Sequence, residues 1–317
     1  MKNRIVQLDY LKGVFILLMV TFHIQLIEEN YPLLRSAIYT FHMPAFLIIS
    51  GYLSNVEKTW KDFLRGLARL TVPYVLFELI YIVMHFYLGK AMHSTNASID
   101  SLNAISIIST ITAYPVGPYW YIHTLIICTI VYYFIYRVFK FKSMTAIVVT
   151  GSILYGLSLV LGGFSWGNVI YFLIGVCLFR SGKSFTESVP PSYWALIPLC
   201  ILFASSDNYN RMSLAGVAIT LLIISLLLSL YTHCGNKATR FFNYLGCNSL
   251  SIVVFSPIFT ATTKIAVPLF KFDPTHICFA IFAVCFTVVC CLLCAFISDK
   301  LHISKYIFCK EKIYFKY

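Results

Sequence analysis

Apolar runs of near-membrane length recur from residue 8 to residue 298 of this chain, separated by short polar gaps. A helix that crosses a bilayer needs roughly 20 mainly apolar residues, and only helices or closed barrels can cross it. Ten windows qualify: 8–27, 37–53, 70–88, 120–139, 144–161, 169–179, 193–205, 214–231, 250–270 and 276–298. The sixth and seventh are short for a full crossing. With 59% hydrophobic and 11% charged residues, a soluble globular fold is excluded. The expected architecture is an all-α polytopic membrane protein, a bundle of about ten transmembrane helices. Residues 1–317 form one integral-membrane unit, with 300–317 as a basic cytoplasmic tail.

The formal charge of +12 needs a different explanation from nucleic acid, because the gaps are too short to build a folded basic face. Positive residues instead orient membrane chains. With the N-terminus cytoplasmic, 18 lysines and arginines fall on the cytoplasmic side; Arg35, Lys90, Arg211, Lys264 and Lys271 fall opposite, and Lys12 lies inside the first window. The alternation supports both the count and the orientation, and a bacterial inner or plasma membrane is the expected location. The first twenty residues look like a signal peptide, but no small-residue cleavage site follows and His23 and Gln25 interrupt the run, so they read as an uncleaved span. The eleven cysteines lie mostly in apolar runs without metal-ligand or CxxC pairing, as small soft side chains would.

Ionisable groups inside spans are costly and therefore point to function. Asp9, Lys12 and His23 share one face of the first window: at about 100° per residue, Lys12 and His23 lie within ~20° of each other and Asp9 within ~60° of Lys12. Asp9 and Lys12 also suit a plain i,i+3 ion pair. Lys12 and His23 are about 16 Å apart along the axis, in opposite halves of the membrane. His42 in FHMPAFLIISGYL and Trp120, Tyr121 and His123 in PYWYIHTLI start their spans at the depth of His23, so three histidines are expected to converge. A metal site is the rival use of three histidines, but HxxxH and ExxH spacings are missing. Glu78 and His85 share a face of the third window and read as pairing within the bundle. On the cytoplasmic side KTWKDFLRGLARLTVPY reads as a short amphipathic helix whose Arg65 and Arg69 lie one turn apart, suited to phosphate or to anionic lipid. Ser50 lacks a base nearby in sequence, and Pro44 and Gly51 adjust helix packing.

Several of these segments together, LDYLKG followed by His23, FHMPAFLIISGYL, RLTVPY and PYWYIHTLI, resemble the membrane-bound acyltransferase-3 family, and within it the branch of fucose 4-O-acetylase-like sugar acetyltransferases. The likeness is strong from residue 8 to about 130 and continues as hydrophobic helices with LGCNSLSI. It implies a bundle of about ten helices that moves an acyl group, usually acetyl from cytoplasmic acetyl-CoA, to a sugar hydroxyl of a cell-surface polysaccharide or its lipid-linked precursor. On that reading His23 is the base, His42 a second acid/base or oxyanion donor, and Asp9 and Lys12 line the path below. Arg65 and Arg69 hold coenzyme phosphates, and Trp120, Tyr121 and His123 meet the glycan acceptor. The bilayer, acyl-CoA and the glycan are the partners, with no metal; oligomeric state is left open. A transporter or flippase of a glycan or lipid intermediate is the rival class, without the inverted repeats that carriers show. The chain departs from the family pattern where three residues, not two, separate the arginines and where Phe255 and Ser256 replace a histidine.

Overall fold

The computed structural model describes residues 4–88, 102–141 and 143–316, with the side chains of Leu88 and Ser143 left aside. Lys2, Lys90 and Lys142 of the charge count lie outside these residues. The described residues are mostly helical, with no strand among them. The chain opens with α1 (Val6–Phe22), a single turn and a half α2 (Gln25–Asn30), and α3 (Pro32–Leu53). A 29-residue α4 (Trp60–Leu88) and a short α5 (Ala104–Thr112) lead to α6 (Trp120–Tyr133). The middle of the chain holds α7 (Ser143–Val160), α8 (Trp166–Arg180), the turn α9 (Phe185–Ser188), α10 (Leu196–Phe203) and α11 (Leu214–His233). It closes with α12 (Asn236–Cys247), α13 (Ser249–Thr262), α14 (Ile277–Lys300) and α15 (Ser304–Ile307).

Among the described residues, six helices are long and apolar enough to cross a membrane, over Pro32–Leu53, Trp60–Tyr87, Gly117–Val138, Leu214–His233, Ser249–Phe270 and Ile277–Lys300. Three shorter apolar helices, Met144–Val160, Trp166–Arg180 and Tyr193–Phe203, and the 17-residue α1 account for the other expected windows. Three boundaries differ from expectation. The first span stops at Phe22 rather than residue 27, because the Tyr39 hydroxyl donates to the Phe22 carbonyl (2.8 Å) and takes up one of the acceptors that a helix end leaves free. The amphipathic segment around Arg65 is not a separate helix: it runs without a break through Pro73 into the third span. The expected cytoplasmic tail is tied to the bundle. Asp299 accepts the backbone N–H groups of Ile313 (3.0 Å) and Tyr314 (2.9 Å), and Asn248 accepts that of Phe315 (2.9 Å).

Two close helix pairs set the frame around α1 and α3. α1 packs most extensively on α12, and α3 on α8. A Cβ on Gly246 would overlap the Asp9 carbonyl oxygen, and one on Gly13 that of Phe242; Gly51 and Gly175 stand in the same relation to Phe172 and Ile48. Small residues let backbones approach where lipid supplies no hydrophobic drive between helices. Leu11, Phe15, Ile16, Val20, Leu47 and Ile48 are buried within 0–1% exposure, so α1 and α3 form the centre of the bundle.

Candidate functional site

Two cavities lie along α1 and α3, one at the depth of Lys12 and one at the depth of His23. The first, of about 300 Å³, is lined by Lys12 of α1, Phe46, Ile49 and Ser50 of α3, Phe63, Gly66, Leu67 and Leu70 of α4, Tyr121 of α6, Leu250 and Val253 of α13, and Lys58 at its mouth. The second, of about 60 Å³, is lined by Met19 and His23 of α1, Tyr39, His42 and Met43 of α3, Pro118 and Trp120, Arg211 and again Val253. Val253 therefore stands between the two. His42, Met43, Phe46, Ile49 and Ser50 follow helical spacing along one face of α3, which carries the lining from one cavity into the next.

Prolines shape this neck. Pro257 in α13 has no N–H for the carbonyl of Val253, and the Ser256 hydroxyl approaches that carbonyl at 3.5 Å instead. Pro44 in α3 likewise frees the Thr40 carbonyl, which the Thr220 hydroxyl of α11 approaches at 3.4 Å. Substituted backbone bonds of this kind keep irregular helix tolerable at membrane depth.

The two histidines of the second cavity share a geometry. His23 Nδ1 lies 2.7 Å from the Met19 carbonyl and His42 Nδ1 lies 2.7 Å from the Ile38 carbonyl, each four residues back on its own helix. A carbonyl only accepts, so Nδ1 carries the proton in both rings and Nε2 keeps a free lone pair. His42 is 2% exposed, and its Nε2 has no partner. The Tyr39 ring bridges them, 6.0 Å from His23 and 5.2 Å from His42 between ring centres.

The expected convergence of three histidines is thus a pair. His123 lines neither cavity: its Nε2 is 2.9 Å from the Thr112 carbonyl, and its ring faces Tyr74. Trp120 reaches the second cavity, whereas Tyr121 faces the first and bonds the Ser50 hydroxyl at 2.8 Å. At about 100° per residue, neighbours at one depth on a helix cannot all face one way. Glu78 is fully buried and accepts the Val116 N–H at 2.6 Å, holding the turn that leads into α6.

At the first cavity Asp9 and Lys12 form the i,i+3 pair, 2.8 Å apart, and Arg4 joins the same carboxylate. Lys12 reaches the lining and Asp9, 4% exposed, sits behind it. Arg65 and Arg69 do not line the cavity. Phe63, Gly66, Leu67 and Leu70 present one face of α4 to it, and at about 100° per residue both arginines fall more than ~100° away from that face. Arg65 pairs with Asp62 at 3.2 Å, and Arg69 points to the Cys309 carbonyl at 3.5 Å. Among the described residues no three His, Cys, Asp or Glu side chains are grouped to hold a metal ion.

Arg211 is the residue sequence reasoning missed. It counts there as one loop charge, six residues after the short 193–205 window. In the fold its guanidinium lies 5.1 Å from the centre of the Trp120 ring, and the Tyr171 hydroxyl fixes its backbone carbonyl at 2.7 Å.

A helical bundle with several membrane-length helices defines a multi-pass membrane protein, and here two cavities that share Val253 lie within it. The family model described as an acyltransferase domain matches residues 5–296, nearly the whole chain, so the protein belongs to the acyltransferase-3 family. No protein of curated function and no solved structure matches it.

Proposed function

We propose that the protein is an O-acyltransferase that takes an acetyl group from cytoplasmic acetyl-CoA and places it on a hydroxyl of a saccharide at the opposite membrane face, a cell-surface polysaccharide or its lipid-linked precursor. The observation that carries this reading is the pair of cavities sharing Val253, with cations at one and imidazole bases at the other. All ten helical windows cross the membrane in this reading, with the N-terminus cytoplasmic.

The donor enters the 300 Å³ cavity, its phosphates at the mouth near Lys58 and its thin thioester arm directed past Lys12 toward Val253. Lys58, just before α4, takes the anchoring role expected of Arg65 and Arg69, which lie on the side of α4 turned away from the cavity. Asp9 positions Lys12. At the neck the acyl carbon comes within reach of the second cavity. The Nε2 lone pair of His23 accepts the proton of the acceptor hydroxyl as its oxygen attacks the thioester carbon. His42, in the same tautomer, is the second base that accepts from the incoming hydroxyl; the carbon–sulfur bond then breaks, the coenzyme leaves as a thiolate, and the His23 imidazolium gives its proton to solvent as the thiolate takes one up. A relay through Ser50 has weaker support, since its hydroxyl faces Tyr121 rather than either histidine. Acetyl content of surface glycan in cells with and without the protein tests the reading; equal content in both would overturn it.

A further inference from the structure

Arg211 lies outside the helices, in the turn that starts α11, and its place is built rather than accidental. Asn210 accepts the Met212 N–H through its side chain (2.8 Å) and the Ser213 hydroxyl through its backbone (2.7 Å), and Ser213 caps Gly216 (3.1 Å). The Tyr171 hydroxyl then pins the Arg211 carbonyl. Together these hold a half-buried guanidinium over Trp120 and against the cavity that contains His23 and His42. Burial lowers its affinity for the proton, yet arginine stays charged.

A charge taken out of water is costly unless paired. Among the described residues no carboxylate pairs with Arg211. Of the other acids, Glu28 pairs with Arg35 at 3.3 Å, Asp273 accepts the Thr275 hydroxyl and the Cys278 N–H, and Asp207, four residues before Arg211 in the chain, forms no ion pair with it. The same cavity holds a second unmet group, the buried Nε2 of His42. One is a cationic donor fork and the other a neutral acceptor. A ligand that satisfies both carries an oxyanion and, close to it, a hydroxyl. The cavity of about 60 Å³ admits those two groups and leaves the rest of a sugar ring outside. The guanidinium lies 5.1 Å from the centre of the Trp120 ring, and its planar fork of N–H donors is the group that binds carboxylate or phosphate through two parallel hydrogen bonds.

We propose that the saccharide acceptor is anionic, with Arg211 gripping a carboxylate or phosphate oxygen pair while the neighbouring hydroxyl is presented to His42 and His23. This rests on the acyl-transfer reading for the fate of the hydroxyl, but the recognition step is measurable by itself. Equilibrium binding of labelled methyl glucuronide, glucose 1-phosphate and methyl glucoside is measured on the full-length protein in lipid nanodiscs, with Arg211→Lys and Arg211→Gln alongside and thermal melting of each variant recorded. At least one charged probe is expected to bind tenfold or more tightly than the neutral glucoside. The preference is expected to vanish in Arg211→Gln and to survive in part in Arg211→Lys, which keeps the charge without the fork. The uronide and the sugar phosphate separate the two sources of the oxyanion. Equal binding of charged and neutral probes, or a preference that persists in Arg211→Gln, overturns the inference. A charged probe that binds through Arg211 but is never acetylated from acetyl-CoA sustains it while overturning the acyl-transfer reading.

Discussion

His23 occupies an uncommon position for an imidazole: the residue that ends α1, bonded back to Met19 and open at Nε2 to a small cavity. Replacement by alanine removes the lone pair without touching the apolar face of the helix. Acyl transfer by His23→Ala is expected to fall by a factor of about 10² or more, with insertion and expression unchanged; transfer that survives would move the base elsewhere. The cations at the other end make a sharper comparison. Lys58 lines the mouth of the first cavity and Arg65 is paired with Asp62 on the far side of α4. Lys58→Gln should therefore weaken acetyl-CoA binding, by about 1–3 kcal/mol as for a charge-assisted hydrogen bond, and Arg65→Gln by much less. Titration of the coenzyme onto the two purified variants decides it, and the reverse order would restore the arginine as anchor.

At the scale of helices, the close pair α1 and α12 depends on two glycines, because neither backbone leaves room for a side chain. Gly246→Ala drives a methyl group into the Asp9 carbonyl, and overpacking of this kind costs about 1–3 kcal/mol. A lowered melting temperature in nanodiscs is expected, larger than for Gly66→Ala, where a Cβ would meet open space. α13 makes a separate contribution. Its Pro257 leaves the chain irregular at Val253, the residue common to both cavities. Filling that position with Val253→Trp should block passage of the acyl group while acetyl-CoA still binds. Undiminished transfer in that variant would mean the two cavities are not joined there.

For the whole molecule the question is sidedness. Lys12 and His23 stand eleven residues apart in the chain, about 16 Å along the axis of α1, so the two cavities they line lie in different halves of the bundle. In oriented vesicles, acetyl-CoA given only on the cytoplasmic face is expected to label a saccharide present only on the other face, without net movement of the saccharide. Labelling that requires both on one face would contradict the path, and saccharide movement without acetylation would favour a carrier.

The amino-acid sequence by itself determined the membrane class, the family, most of the helical windows and the Asp9–Lys12 pair, but not the ten residues by which α4 begins before its window. The family is legible in the quoted motifs; the rest follows from periodicity and the cost of burying charge, which act within one helix and are visible in one dimension. Tertiary structure decided the rest. His123 turned to Thr112, Tyr121 to Ser50 and Arg69 to the C-terminal segment, because depth in a span says nothing about which neighbour a side chain meets. The end of α1 at Phe22 needed a hydroxyl from another helix, and Arg211 reached the histidines only because the loop between α10 and α11, remote from them in the chain, brings it over Trp120. Contacts between segments remote in the chain leave no local pattern, and the second cavity is made almost wholly of such contacts.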